Sequence, residues 1–392
     1  ATGTSRPGPP AGLGTGPLAG YRVLDLGAIL AGPYAGHLLA ELGCDVVKVE
    51  PPAGDSFRDY GFTYNRGMRC VALDLRDERG REAFHRLVRT ADVVLDNYRS
   101  GVLHRLGIDH AALRAVNPEL VTLSVTGFGE DGPTSGRPGF DPLLQAMSGM
   151  MTAQGGDGEP VFLTLPVNDV SAAALSVLGV GLALLHRART GAGQRAWTSL
   201  AGIAAFMQSG ELVRYDGRPP ALLGGPDFRG PSPWDGYHRV ADGWVRIAGA
   251  PAREALEAAG LLAGHGKPED RLAAGLAGLT RSEAVARLAA AGTAAAPARR
   301  VSELLRDEQL MAAEVLHVHR RPDGTAYATA GRFARFSRTQ QGGVFTAPGV
   351  GEHSREVLRE AGLDEAAVDG LIAAGVVVEG GPMVPRFAVS YR

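Results

Sequence analysis

Asp169 is the residue of this 392-residue chain best placed by its surroundings to do chemistry. It stands in Pro166-Val167-Asn168-Asp169-Val170-Ser171, just ahead of an apolar run from Ala172 to Leu185 that closes with His186-Arg187-Ala188-Arg189-Thr190-Gly191. This pattern predicts one long helix, with Asn168 or Asp169 as its cap, basic residues in its last turn and Gly191 after its end. A carboxylate there feels the positive end of the helix dipole and free backbone N–H groups, so it is expected to stay ionised. An ionised Asp at that place is either an ordinary cap or a nucleophile, and the local pattern alone favours the cap.

Two further stretches have chemical content. Gly127 to Asp141 is a loop rich in glycine and proline that includes Arg137. Its composition suits close approach to a phosphorylated ligand, and suits a solvated connection equally well. Asn97-Tyr98-Arg99 and Thr126-Gly127-Phe128-Gly129 each follow an apolar run. Other chemistries find less support. No His, Cys, Asp or Glu cluster has metal-ligand spacing, so no metal is expected; His317 and His319 read as a solvated strand face. There is no GxSxG elbow and no phosphate-binding P-loop, and the turn Ala31 to Gly36 lacks the GxGxxG spacing, so NAD is not supported.

The elements that must position these residues alternate. Arg22 to Leu26, Cys44 to Glu50, Val71 to Leu75, Asp92 to Asn97 and Leu120 to Val125 read as strands. Helical patterns lie between them: one through Leu38 and Leu42, one from Asp77 to Thr90 with Phe84, Leu87 and Val88 on one face, and two short ones at 101–106 and 110–116. This alternation predicts an α/β fold with a doubly wound, Rossmann-like large domain whose ligands sit at the carboxyl ends of the strands. A helix is expected from Pro142 to Met151, and a strand running into a helix from Gln194 to Met207. Gly217 to Pro233 marks a boundary. Beyond it come a hairpin at 237–248, Ala-rich helices at 253–264, 269–275, 281–291 and 301–315, a hairpin around Pro322-Asp323-Gly324, and helices at 352–361 and 364–374. The expected organisation is a tail at 1–17, a large domain over 18–215, a smaller α+β domain over 216–335 and a return to the large domain over 336–392.

Composition sets the outer bounds. Apolar residues make up 45% and charged residues 21% of the chain, as in an ordinary globular protein. A net charge of −2 gives no case for a nucleic-acid partner. Cys44 and Cys70 lack CxxC or ligand spacing and read as buried thiols in a reducing cytoplasm. The Gly/Pro/Thr-rich start has no apolar core and reads as a disordered tail rather than a signal. The run after Asp169 reads as a buried core helix, not a membrane span.

Taken in order, the motifs resemble the family III CoA-transferases of the CaiB/BaiF type, which include formyl-CoA transferase and share their fold with the α-methylacyl-CoA racemases. The anchors are Gly20 to Leu26, Ala31-Gly32-Pro33, Leu42 to Pro51, Gly54-Asp55 with Arg58, Asn65-Arg66-Gly67, Val71 to Leu75, Asn97-Tyr98-Arg99, Gly127-Phe128-Gly129, Gly132-Pro133, Gly139-Phe140-Asp141 with Gln145-Ala146, Ala347-Pro348 and Gly351-Glu352-His353. The resemblance spans about Leu18 to Val378.

It implies that Asp169 is the catalytic carboxylate and that CoA passes between carboxylic acids through a mixed anhydride and an aspartyl-CoA thioester. The start of the helix would then also offer N–H groups to the developing oxyanion. The resemblance further implies CoA contacts at Ile29, Leu30, Leu73, Asp74, Leu75, Arg76, Asn97, Tyr98, Arg105 and Arg137. Asp141, Phe140, Gly224 and Gly225 are implied as further active-site positions, although Gly224-Gly225 reads equally as a plain linker. Acyl-CoA and carboxylic acids are the expected substrates, and an interlocked cytoplasmic homodimer the expected assembly, with no membrane partner.

Some positions depart from the family pattern. Phe140 stands where the racemase branch has a second acid/base histidine, which speaks against racemisation. Met68 replaces a lysine, Trp197 replaces an aspartate, and the segment 245–295 is short. A racemase that uses Asp169 with another base such as Asp141, and a repurposed non-CoA enzyme or binding protein, are the alternatives these departures leave open.

Overall fold

The structure, a computed structural model, describes residues 15–58, 62–249, 252–320, 326–339 and 346–382. All but the last three residues of the expected tail, and the turn Pro322-Asp323-Gly324, lie outside the described residues. The chain forms two compact units. The larger draws on the described parts of Ala1–Met150, Phe162–Tyr215 and Val318–Arg392; the smaller on Met151–Val161 and Asp216–His317.

The larger unit is mixed α/β and is built on a large, mainly parallel sheet. Six strands, β1 (Arg22–Asp25), β2 (Asp45–Glu50), β3 (Arg69–Leu73), β4 (Val93–Asp96), β5 (Val121–Thr126) and β6 (Arg195–Ser199), lie in the spatial order β3-β2-β1-β4-β5-β6. All five of these pairings are parallel, and Val377–Val378 adds an antiparallel edge to β3. The winding turns back between β1 and β4, which leaves their carboxyl ends open to a ligand.

Strand residues alternate between two cores, as the pleat demands. Val23, Val46, Leu95 and Leu123 enter the first core, while Leu24, Val47, Val71 and Val94 enter the second. In chain order the helices are α1 (Ala31–Glu41), α2 (Glu78–Val88), α3 (Val102–Leu106), α4 (His110–Val116), α5 (Asp141–Met147), α6 (Met150–Gly155), which from Met151 on belongs to the smaller unit, α7 (Val167–Thr190) and α8 (Leu200–Met207). Asp77 caps α2 by accepting from Arg79 N, and its Phe84, Leu87 and Val88 are fully buried. α1 and α7 share the first core.

α7 qualifies by length and composition as a membrane span. The expectation of a buried core helix holds on one face only. Ala172, Ala173, Val180, Ala183 and Leu184 are buried, whereas Val170, Leu178, Leu182 and Leu185 are exposed. The helix is apolar on both sides, so its sequence does not show which face meets the sheet.

Charged residues reach the interior in pairs. Lys48 and Asp25 are both fully buried, with Nζ 3.4 Å from Oδ2, and Nζ also donates to the carbonyl of Gly27, two residues past the end of β1. Burial pushes the Asp25 carboxyl above its usual range, against the pull of Lys48. Breaking a buried pair of this kind costs roughly 3–5 kcal/mol because one charge is stranded. Arg69 bonds Asp45 (2.8 Å), Glu356 (2.9 Å) and Glu360 (2.7 Å), and Arg22 also reaches Glu360 (2.8 Å). These arginines tie the first and third strands to the helix Ser354–Glu360, which covers the second core with Val357 and Leu358. Cys44 and Cys70 are buried free thiols, and burial raises the pKa of both.

In the smaller unit, β7 (Gly236–Val240), β8 (Gly243–Ala248) and β9 (Ala294–Pro297) form an antiparallel sheet. It packs with Leu256, Leu272, Leu276 and Leu288 in a core of its own.

Several helices are shorter than the sequence predicts. The helix expected over 142–151 divides into α5 and α6 where Gly149 adopts φ +87°. The one expected over 253–264 ends at Ala258, ahead of Gly260 with φ +66°. The stretch 301–315 forms two single-turn pieces, Val301–Leu304 and Glu308–Ala312. Ala-rich composition has no signal for where such helices stop, whereas a glycine in the left-handed region does stop them.

Candidate active site

Asp169 lies in the first turn of α7, three residues after its N-cap, Pro166. It is therefore not the cap. The first-turn amides are all taken: Val167 N bonds Leu165 O (2.8 Å), Val170 N bonds Pro166 O (2.9 Å), and Asn168 N and Asp169 N both donate to Asp141 Oδ2 (2.6 and 3.2 Å). The cap is thus supplied from α5, by a side chain 27 positions earlier in the chain. The expectation that these N–H groups serve an oxyanion does not hold, because Asp141 and the local turn already hold them.

Asp141 is 2% exposed and Gln145, one turn along α5, is fully buried. Gln145 Nε2 donates to Asp141 Oδ1 and to the carbonyls of Leu163 (3.0 Å) and Leu165 (3.3 Å), while its Oε1 accepts from Leu163 N (3.1 Å). One carboxylate and one carboxamide therefore hold both the approach to α7 and its first turn. The neighbouring Asn168 carboxamide is fully buried and has no hydrogen-bond partner among the described residues.

The Asp169 side chain faces a cavity of about 430 Å³ that is also lined by Ala28, Ile29, Leu30, Ala31, Asn97, Tyr98, Arg99, Val125, Thr126, Gly127, Pro138, Gly139, Phe140 and Leu200. Burial, and secondly the charge of Asp141, push its carboxyl up to about 7. The expectation that the helix start keeps this group ionised is therefore corrected: desolvation and a like charge outweigh the dipole.

The wall made by residues 28–31 is held in an unusual shape. Ile29 has φ +66°, a costly conformation for a β-branched residue. Asn97 grips Ala28 at both ends, accepting from its N–H and donating to its carbonyl, each at 2.7 Å. Asp55 Oδ2 accepts from Ile29 N at 2.7 Å. On another wall Gly127 and Gly139 touch backbone to backbone; a Cβ on Gly139 would lie 2.6 Å from the Gly127 Cα, so neither position has room for a side chain.

The cavity thus gathers Asp169, Phe140, Ile29, Leu30, Asn97 and Tyr98 of the residues expected at the site. Leu73 is buried in the second core and does not line it. Asp74 and Arg76 pair with each other on the surface at 3.0 Å, and Arg76 is raised above its ordinary pKa by that bond. Arg105 in α3 and Arg137 in the 127–141 loop are exposed and do not line the cavity either. Gly224 and Gly225 belong to the smaller unit, where Gly224 N donates to Ala153 O at 2.6 Å. Trp197 is an exposed residue of β6 with the Arg195 guanidinium 5.2 Å over its ring, and Met68 is buried in the first core.

Arg99 also lines the cavity and was not singled out from the sequence as a ligand; its place directly after Asn97-Tyr98 was the available signal. A second groove of about 490 Å³ shares Tyr98, Arg99 and Thr126 with it. That groove holds Asp96, which burial raises to about 6 and which accepts from Ser124 Oγ at 2.6 Å. It is the larger of the two, but Asp169 opens into the other.

The sequence profile of CoA-transferase family III matches residues 18–354. The chain belongs to CoA-transferase family III. It is 33% identical to a succinyl-CoA:mesaconate CoA-transferase of Haloarcula marismortui, over 89% of this chain and 97% of that one. It is 37% identical to a succinate–glutarate CoA-transferase of Agrobacterium fabrum, over 59% of this chain and 63% of the relative. Among solved structures, a CaiB/BaiF family protein from Brucella suis superposes with a TM-score of 0.77 at 30% identity, covering 88% of this chain and 100% of that one. The family III resemblance drawn from the motifs is thereby borne out.

Proposed function

We propose that this family III CoA-transferase moves coenzyme A between carboxylic acids through covalent adducts on Asp169. The observation that carries the reading is the Asp169 carboxyl on the wall of a cavity at the carboxyl ends of β1, β4 and β5, the end of such a sheet where ligands bind. The Asp169 carboxylate attacks the thioester carbonyl, forms a mixed anhydride and releases CoA thiolate. The thiolate attacks the aspartyl carbonyl carbon and frees the first acid, leaving an aspartyl-CoA thioester. The incoming carboxylate attacks that thioester, giving a second anhydride and thiolate. Attack of the thiolate on the new acyl carbon forms the product thioester and restores Asp169. A carboxylate suits this work because its acyl derivative is as activated as the thioester it replaces.

With the α7 amides engaged, oxyanion donors come from elsewhere on the wall. The amides of Leu30 and Ala31, at the start of α1, have no partner among the described residues. Arg99 offers a guanidinium to a carboxylate or phosphate oxygen. The relatives named for succinate, glutarate and mesaconate support a short dicarboxylic acid as one substrate. CoA contacts at Ile29, Leu30, Asn97 and Tyr98 fit the cavity, and Arg105 and Arg137 are exposed cations for the phosphates. Arg76 would first have to leave Asp74. Racemisation finds no support: Phe140 cannot transfer a proton, and both Asp141 oxygens are engaged away from the cavity.

Incubation of the protein with succinyl-CoA, followed by mass spectrometry, is expected to show a CoA adduct on the peptide that contains Asp169, converted to a hydroxamate by hydroxylamine. Turnover with no adduct, or with one on another residue, would overturn the route.

The reading includes a doubly wound, Rossmann-like large domain, supported by the strand order, and a cytoplasmic setting, supported by the two free buried thiols. It also includes an interlocked homodimer. Leu178, Leu182 and Leu185 are 56%, 57% and 47% exposed on one stripe of α7, and Phe206 of α8 is 59% exposed. Such a patch calls for a partner surface. Light scattering is expected to give twice the 40.8 kDa chain mass; a stable monomer at micromolar concentration would remove the dimer from the proposal.

A further inference from the structure

We infer that Asp141 is a positioning residue: by holding the first-turn amides of α7 through one oxygen and Gln145 through the other, it aims the Asp169 carboxylate into the cavity and leaves that carboxylate without a donor of its own among the described residues. The inference rests on the reading of Asp169 as the nucleophile and adds to it a device that keeps the nucleophile reactive.

A free carboxylate in a helix first turn ordinarily finds backbone N–H groups nearby, and such bonds lower both its proton affinity and its nucleophilicity. Here a second carboxylate, itself 2% exposed, has taken the amides of Asn168 and Asp169. Asp169 is left to face the cavity, where the titratable or charged groups on the surrounding elements are Tyr98 and Arg99 from the segment after β4; residues 28–31, 138–140 and Leu200 contribute none. Burial, and secondly the like charge of Asp141 from α5, account for the upward shift to about 7. Gln145 makes the arrangement rigid, since its carboxamide joins Asp141 to the backbone of residues 163 and 165.

The test is a ¹³C-carboxyl NMR titration of Asp169 in the full chain, with the resonance assigned through Asp169→Asn. In Asp141→Asn the amide oxygen can still accept from the helix but the charge is gone. The Asp169 midpoint is expected to fall by about one pH unit, a roughly tenfold change in the ratio of ionised to protonated carboxyl. The acidic limb of the exchange rate should move by the same amount, with kcat lowered. Gln145→Ala, which frees the 163–165 backbone but keeps the charge, is expected to move the midpoint by less than about 0.3 unit. Should Asp141→Asn fail to fold, Asp141→Ser carries the test, because its hydroxyl accepts from helix amides without charge. An unmoved midpoint in the Asp141 variant, or an equal movement in both variants, overturns the inference. The titration needs no turnover. A shifted midpoint in a protein whose Asp169→Asn form still exchanges CoA would refute the proposed nucleophile and leave the electrostatic coupling standing.

Discussion

Replacing Asp169 with alanine is expected to lower CoA exchange by at least about 10⁴-fold, the scale on which enzymes lose their nucleophile. The loss should fall on kcat, because the cavity walls that hold the substrate remain: Ile29, Leu30, Asn97 and Tyr98 are contributed by segments Asp169 does not touch through any hydrogen bond. Binding of CoA, followed by calorimetry, should change little. Steady-state exchange between succinyl-CoA and a second dicarboxylate is the measurement. A variant that retains more than about one part in a hundred of the parent rate would place the acyl transfer on another group, or directly between the two substrates.

The second large effect is on stability, and it runs opposite to the first. In the folded chain the Asp169 carboxyl is pushed up to about 7 from a reference of 3.8. An acid whose folded pKa is raised favours the fold fully below its unfolded pKa, and that contribution is lost as the pH rises through the folded value. From pH 4 to pH 7 the unfolded chain ionises this group while the folded chain does not, and above pH 7 the full penalty is in place. Asp169→Asn removes the penalty. The variant is expected to be more stable than the parent at pH 8 by about 1–4 kcal/mol, the upper figure being the whole shift and the lower one allowing for partial exposure. The gain should shrink steadily toward pH 5. Urea denaturation of both proteins at pH 5, 6.5 and 8 measures it; a variant that is less stable at pH 8, or a gain that does not vary with pH, contradicts the assigned environment. The same shift sets the activity profile, since only the ionised form attacks: below pH 7 the exchange rate should drop about tenfold per unit. A more basic carboxylate is the better nucleophile, so the strain carried by the fold at neutral pH serves the chemistry.

Much of the site's scaffold could be read from the chain alone. The strands declared themselves as short β-branched runs, and Asp169 as a carboxylate at the head of a long apolar helix. What escaped was contact between distant segments. Nothing local in Gly139-Phe140-Asp141 says that its carboxylate will reach amides 27 positions later, so the amides of α7 looked free when they were not. The pairing of Arg76 with Asp74 is the opposite case: two residues apart at a strand end, it was open to a local reading. The outward stripe of α7 was invisible because alanine, leucine and valine surround that helix, and composition does not rank its faces. Gly127 and Gly139 could each be recognised as flexible, but not as a touching pair.

The arginine ties between the early strands and the helix Ser354–Glu360 have a consequence for biosynthesis. The second core cannot close when its strands leave the ribosome, because Val357, Leu358, Val368 and Val377 have not yet been made. At 5–20 residues per second, the wait is on the order of 15–60 s. Throughout it, β3 displays an unpaired edge where Val377–Val378 will later dock. A nascent chain of this kind is a natural client for chaperones that shield sheet margins, and truncation anywhere before residue 378 would make that transient exposure permanent.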